Sequence, residues 1–488
     1  MKTIGLLPLD SRPCNTIWLE QLSKLAGYKF LMYPRNKCGT LFKSANFLDQ
    51  KAWLIENASK MDYLILSFDG LTSGGLVQTR VGNADIEQIQ NNIDFLGDIK
   101  NKNPHLEIYV FDVLMRTTIS ATTMETARIW ALVNEYSRLA GEVYFNAREE
   151  DKKKLEEIKK QIPKEIIDEY LLARKKKNII NKLAINLSKK GLIDYLIILQ
   201  EDAVPNGIQK IEQFELTNLI NKNDLNNKIK YYNGTDEGAL VLFARAILKD
   251  NNLSPKIYLH LPFANALEKS MIFEDRPFIE NLKLMFETIN LKLSSLEEAD
   301  FALSIYTEKD NIDFDFTVTN KVYPTFDEVY YNYIKELNNL VSKIDTCFID
   351  LLFPNGGCSE ILKDINYKGL ASYSAWNTAS NSSGSALAHI ASVVVAKHKQ
   401  LDYKELNEKF KKERIIDDCL FQYEARRFIN KDLIANNINI YNLEENGKIV
   451  LEKIEVLLKK FSKEYFDVEF SVSLPWNRTF EAEILIKD

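Results

Sequence analysis

A chain of 488 residues with 45% hydrophobic and 27% charged side chains has an ordinary globular make-up and is long enough for two or three domains. A formal net charge of −6 offers no electrostatic hold on nucleic acid or an anionic membrane, so neither is expected as a partner. Five scattered cysteines without a C-x-x-C pair argue against a disulfide framework or a zinc ribbon.

No apolar run approaches the roughly 18 residues of a membrane span. The opening apolar run is broken by Pro8 and Asp10, too short for a signal peptide. A cytoplasmic protein is expected.

In chain order, the first apolar run (4–9) predicts a strand ending in Asp10-Ser11-Arg12-Pro13. A helix to about residue 26 comes next, then strands at 29–33 and 63–69, the latter leading into Gly70 and a Gly74-Gly75 pair before Arg80. The next strand covers 107–116 and carries Asp112 and Arg116. Residues 124–190 read as mostly helical, with a short strand at 142–145. The Lys152–Lys154 and Lys175–Lys177 runs read as solvated helix faces. Arg174, Asn178 and Asn181 share one polar face at i, i+4 and i+7.

Tyr195-Leu-Ile-Ile-Leu-Gln, an apolar run closed by Pro205-Asn206-Gly207, predicts a strand buried on both faces. It runs into Glu201-Asp202, where an α/β enzyme keeps its chemistry. Residues 221–228 are polar and breaker-rich and read as a hinge or linker. Further strands are expected at 229–232, 256–261, 301–306, 347–353 and 370–374, then a Lys- and Glu-rich helical tail with a strand pair at 466–470 and 480–486.

The alternation predicts an α/β fold with parallel strands between helices and a helical C-terminal region. A (β/α)8-barrel-like core with additions is the expected arrangement, with two doubly wound lobes as the alternative. The regions are 1–220, 221–395 (a second α/β region completing the site) and 396–488.

Several motifs read two ways. Asp10 and Arg12 either pair in a turn or grip a polar substrate. Gly74-Gly75 lets backbone approach a ligand or makes a tight turn, and matches neither nucleotide-binding glycine pattern. Thr235-Asp236-Glu237 is an N-cap with first-turn acids, or two carboxylates at a cleft mouth. Asn355 ends a strand beside two glycines. Trp376-Asn377-Thr378, with Asn381, reads as close helix packing or as a platform for a sugar ring: an exposed indole flanked by amides. Trp476-Asn477-Arg478 is a second such element.

Four isolated histidines and the lack of a G-x-S-x-G elbow disfavour a zinc hydrolase and a serine triad. Carboxylates that end strand after strand leave glycoside acid–base chemistry or a Mg²⁺/Mn²⁺ site.

Leu-Pro-Leu-Asp10-Ser-Arg12-Pro13, Gly74-Gly75-Leu-x-x-x-Arg80, Met115-Arg116, Glu201-Asp202 and Trp376-Asn377-Thr378-x-x-Asn381 together resemble a bacterial family known only as a domain of unknown function. The resemblance runs to about residue 395 and implies no activity. It leads one to expect Asp-Asp where this chain has Glu201-Asp202.

Adjacent acids at a strand's end are also similar to those of substrate-assisted N-acetylhexosaminidases. That likeness implies one acid orienting the acetamido group and the other protonating the leaving oxygen.

The expectation is therefore a glycosidase for an N-acetylated sugar, with a small carbohydrate as partner and no cofactor. Asp202 would be the general acid and Glu201 the orienting carboxylate. Asp10, Arg12, Asp69, Gly74, Gly75, Arg80, Asp112, Arg116, Asn206, Asp236, Glu237, Asn355, Trp376, Asn377 and Asn381 would bind substrate. The alternatives are a Mg²⁺- or Mn²⁺-dependent isomerase or phosphohydrolase, with Asp10, Asp69, Asp112, Glu201, Asp202 or Asp236 as ligands, and a non-catalytic sugar or metabolite receptor.

Overall fold

Parallel strands alternate with helices as the sequence predicts, but among the described residues they build two open sheets and close no barrel. The computed structural model describes residues 1–312 and 324–487. The chain forms two compact units. One comprises Met1–Ser23, Tyr28–Phe243 and Phe273–Arg276; the other comprises Lys24–Gly27, Ala244–Ile272 and Pro277–Asp488.

The first unit holds β1 (Thr3–Leu7), β2 (Lys29–Met32), β3 (Tyr63–Ser67), β4 (Glu107–Leu114), β5 (Tyr195–Gln200) and β6 (Ile229–Asn233). They pair in the order β2-β1-β3-β4-β5-β6, every pair parallel. Such a sheet is covered on both faces, so its inner strands must be apolar throughout. All residues of β3 and β5 are buried. The core beneath them includes Leu64, Leu66, Val110, Leu196 and Ile198. Residues 221–228 carry the chain from helix Gln209–Lys222 to β6, inside this unit.

Between β4 and β5 the chain inserts three helices: Met124–Asn146, Glu149–Gln161 and Lys164–Lys189. They carry a small core of their own, with Ile129, Val133, Tyr136, Ile162, Ile167 and Tyr170. The strand expected at 142–145 is the last turn of the first of these helices. Its β-like Val-Tyr-Phe run is overridden by a 23-residue helix with a capping box at Thr123. Helix Glu149–Gln161 has no buried residue, as its Lys and Glu content predicts.

The second unit repeats the winding. Its strands are β7 (Lys256–His260), β8 (Lys292–Leu293), β9 (Phe301–Tyr306), β10 (Thr346–Asp350) and β11 (Ser372–Ser374). Their order is β11-β10-β9-β7-β8, again all parallel. The two-residue β8 was not foreseen.

Helix Ala379–His398 presents alanine, serine and glycine, which let it lie close against β10 and β11. The C-terminal helices come next, and an antiparallel pair, β12 (Phe470–Ser473) and β13 (Glu483–Ile486), ends the unit. Within the helical run after Lys404 lies an 11-residue π-helix, Ile415–Ala425. No helix among the described residues is long and apolar enough to cross a membrane.

Candidate active site

In an open parallel sheet, ligands sit beyond the carboxyl ends of the strands, where the winding reverses. In the first unit that reversal lies between β1 and β3. Asp10 and Asp69 follow those two strands, while Glu201 and Asp236 follow β5 and β6.

Three ionic clusters occupy this edge. In the first, Arg12 lies between two acids. Its Nε donates to both oxygens of Asp10 at 3.1 Å, its Nη1 donates to Asp236 at 3.0 Å, and its Nη2 engages both acids. Asn15 donates to the same two carboxylates at 3.0 and 3.2 Å. Burial pushes the Asp236 carboxyl up, and Arg12 offsets only part of that.

In the second cluster Lys177 lies between Asp69, at 2.6 Å, and Asp112. Thr79 and the backbone of Val113 donate to Asp69, at 3.0 and 2.7 Å, and Asn181 donates to Asp112 at 2.7 Å. Burial raises the Asp112 carboxyl against the pull of Lys177. Lys177 corrects the solvated reading of Lys175–Lys177: it is buried, while Lys175 is exposed. It shares a helix face with Arg174 and Asn181, so the polar stripe read from the sequence points inward. Arg174 braces the backbone after β4, donating to the carbonyls of Met115 (3.3 Å) and Arg116 (2.6 Å) while paired with Glu212.

The third cluster holds the two adjacent acids. Arg80 Nε donates to Glu201 at 3.3 Å, its Nη2 pairs with the same carboxylate, and its Nη1 donates to Ser120 at 2.9 Å. The Arg116 backbone donates to Glu201 at 3.3 Å, and its guanidinium pairs with Asp202. Burial alone would push Glu201 up, but Arg80 and Arg116 outweigh it and hold the carboxyl below its usual value. The Glu201 side chain is 3% exposed and that of Asp202 is 23% exposed, so this cluster opens to solvent at Asp202. Donation of a proton from Asp202 first requires its pair with Arg116 to open.

Beside it, β5 and β6 end together: Gly234 N–H bonds the carbonyl of Gln200 at 2.9 Å. Glu237 folds back so that its Oε2 accepts from Thr235 N–H at 2.8 Å. Gly234, at φ 148°, leaves room for that carboxyl, since a Cβ there would collide with Glu237 Oε1. Burial pushes the Glu237 carboxyl up to about 8; the N–H groups of Thr235 and Glu237 oppose it, and Asp236 and Glu274 add to it. Glu274 was not foreseen from the sequence. It belongs to Phe273–Arg276, which lies in this unit although its neighbours in the chain do not. Phe273 has φ 69°, uncommon for an aromatic residue, and accepts from Ala203 N–H just past Asp202 at 2.8 Å.

The remaining predicted residues do other work. Gly74 and Gly75 shape a turn: Gly74 accepts from Ala45 N–H at 2.9 Å, and Gly75 N–H bonds Asp69 O at 3.3 Å. Asn206 is exposed and donates to Glu142 at 2.7 Å.

Asn355, Trp376, Asn377 and Asn381 belong to the second unit. Trp376 is 4% exposed, which corrects its reading as an open stacking platform. Asn355 and Asn377 both adopt left-handed backbone, and Asn355 N–H bonds Asn377 O at 2.9 Å, tying the loops after β10 and β11. Asn381 Nδ2 donates to the helix cap Thr378 at 3.0 Å. Trp476 is also buried, with the Arg478 guanidinium 4.8 Å from its ring centre.

Among the described residues no three His, Cys, Asp or Glu side chains form a group that could hold a metal ion. The acids of the three clusters instead face Arg12, Lys177, Arg80 and Arg116.

No curated protein and no solved structure matches the chain. The model of the family described as "Protein of unknown function (DUF4127)" matches residues 4–485, and the chain belongs to that family.

Proposed function

We propose that the chain is a glycosidase acting on an N-acetylated amino sugar, with its site at the carboxyl end of β5. One observation carries the reading: Glu201 is held as a carboxylate by two arginines beside the partly open Asp202. An orienting group for an acetamido side chain must stay ionised. It accepts the amide N–H and stabilises the positive charge that develops when the acetamido oxygen attacks the anomeric carbon. Arg80 and Arg116 keep Glu201 in that state despite its burial. Arg174, through the carbonyls after β4, fixes the strand end from which Arg116 projects.

The test is hydrolysis of a panel of aryl glycosides, with and without EDTA, by wild type and Glu201→Gln. Release from an N-acetylhexosaminide, insensitive to EDTA and lowered about 10²- to 10⁴-fold in the variant, is expected. Turnover that requires added Mg²⁺ or Mn²⁺ would move the carboxylates to a metal-dependent reaction. No turnover of any member overturns the reading.

A further inference from the structure

We propose that Glu237 is the proton donor of this reaction, a role that rests on the glycosidase reading and places the acid on the strand next to Glu201. The geometry comes first. Gln200 and Asn233 are paired in register, so Glu201 and the Gly234–Glu237 turn leave neighbouring strands, whose paired ends lie about 5 Å from each other. The carboxyl of Glu237 folds back over Gly234, at the position where the β5 carbonyl of Gln200 is engaged.

Its two oxygens differ. Oε2 accepts the Thr235 N–H. Oε1 is buried and has no hydrogen-bond partner among the described residues. A buried carboxylate oxygen left in that state is costly, and a carboxylic O–H at Oε1 costs less; it donates once the turn that covers it opens to admit an acceptor. A glycosidic oxygen is such an acceptor. The surroundings keep the proton on: a Cβ on the next residue, Gly238, would strike Phe111 and Leu199, so the turn is walled by apolar side chains. Asp236 and Glu274 add like charge, and burial outweighs the two N–H groups that favour the anion.

The pair then divides as glycosidase carboxyls do, one ionised and one protonated. In the first step the Oε1 proton passes to the glycosidic oxygen. The bond from that oxygen to the anomeric carbon breaks with its electrons going to oxygen, and the acetamido oxygen bonds the anomeric carbon. In the second, Glu237 as carboxylate takes a proton from water as the water oxygen displaces the acetamido oxygen. Asp202, tied to Arg116, is not needed as acid.

The measurement is the dependence on leaving group of Glu237→Gln, an isosteric change that keeps the buried site neutral, with Glu237→Asp alongside. N-acetylhexosaminides of phenol and of 2,4-dinitrophenol are compared. The dinitrophenolate departs without protonation, so a lost acid matters little there. Expected is a loss of about 10²-fold or more on the phenyl glycoside, a much smaller loss on the dinitrophenyl glycoside, and partial recovery in Glu237→Asp. Equal losses on both, or no loss, in an active enzyme overturn the role of Glu237 alone. A wild type inert toward the whole panel overturns the glycosidase reading and this role with it.

Discussion

The two sheets share one winding, β2-β1-β3-β4-β5 in the first unit and β8-β7-β9-β10-β11 in the second, yet their carboxyl edges are built to opposite ends. In the first, strand-end acids face long cationic side chains, and one pair, Asp202 with Arg116, opens to solvent. In the second, Asp350 and Asp418 hold backbone N–H groups of neighbouring loops, Asp418 with Arg414 as a further partner. Asp350 gives its oxygens to the N–H groups of Leu352 (3.0 Å) and Cys358 (2.7 Å). Asp418, from the π-helix, accepts from Ala375 N–H at 3.0 Å and Arg414 at 3.1 Å, while its carbonyl accepts Gly357 N–H at 2.8 Å. Charges paired with flexible side chains can re-pair around a ligand; charges spent on backbone amides brace loops. The same topology thus supplies a reactive edge and a structural one.

Substitutions should split along that line. The largest loss of stability is expected from Asp418→Ala, which takes one of two aspartates from Arg414 and an acceptor from Ala375 and Ser374 at once. A cost of about 3–5 kcal/mol, read from denaturant unfolding, is the usual result of breaking a buried pair; a cost below about 1 kcal/mol would mean that this edge is no brace.

Gly357→Ala should cost about 1–3 kcal/mol by overpacking, because the new Cβ would run into Tyr373 Oη and, less severely, the Ala375 Cβ. Adding Tyr373→Phe to that variant should return part of the loss, the contact with Ala375 remaining, and absence of any recovery would place the dominant clash at Ala375.

A pH series on the first unit gives a smaller signal. Glu237 binds its proton more tightly folded than unfolded, so this group lowers stability as pH rises from its unfolded value, about 4.3, to about 8. Around it lie Asp236, Glu274 and the N–H groups of Thr235 and Glu237, with Arg12 and Asp10 beyond Asp236. Melting temperature against pH should therefore fall less steeply across that window in Glu237→Gln than in wild type. Parallel curves would break the contrast. The smallest effect is expected from Asp202→Asn: its pair is partly solvated, so the stability cost should stay within about 1 kcal/mol.

Much of this edge was legible in the sequence because a buried parallel strand has a plain signature. Tyr195–Gln200 is apolar until its last residue, and the residues just past such a strand must lie at the sheet's edge, so Glu201 and Asp202 could be placed without coordinates. The same reasoning placed Asp10, Asp69 and Asp236. What could not be read was partnership. Lys177 sits in a run of three lysines, and nothing local says that it alone turns inward; its position three residues after Arg174 and four before Asn181 was the available signal. Glu274 reaches the first unit from more than thirty residues beyond it in sequence, and no short-range pattern records that. Trp376 failed for a related reason: small neighbours signal close packing, but not what packs. Barrel and open sheets differ only in which strands pair, and strand spacing along the chain is nearly blind to that.

The π-helix carries a consequence for how this chain tolerates insertions and deletions. Each residue of an ordinary helix advances the side chains by about 100°, and the wider i→i+5 turns of Ile415–Ala425 hold more residues per turn than the helices that flank them. Removing one residue from that stretch would restore α-turns locally and swing Asp418 away from Ala375 and Gly357, although every residue in the loops it serves would be intact. Length, not only composition, is therefore under constraint there. A single-codon deletion between 415 and 425 should be more damaging than one in the helix Glu149–Gln161, where no residue is fully buried and only Leu155 and Ile158 pack partly against the core of the insertion.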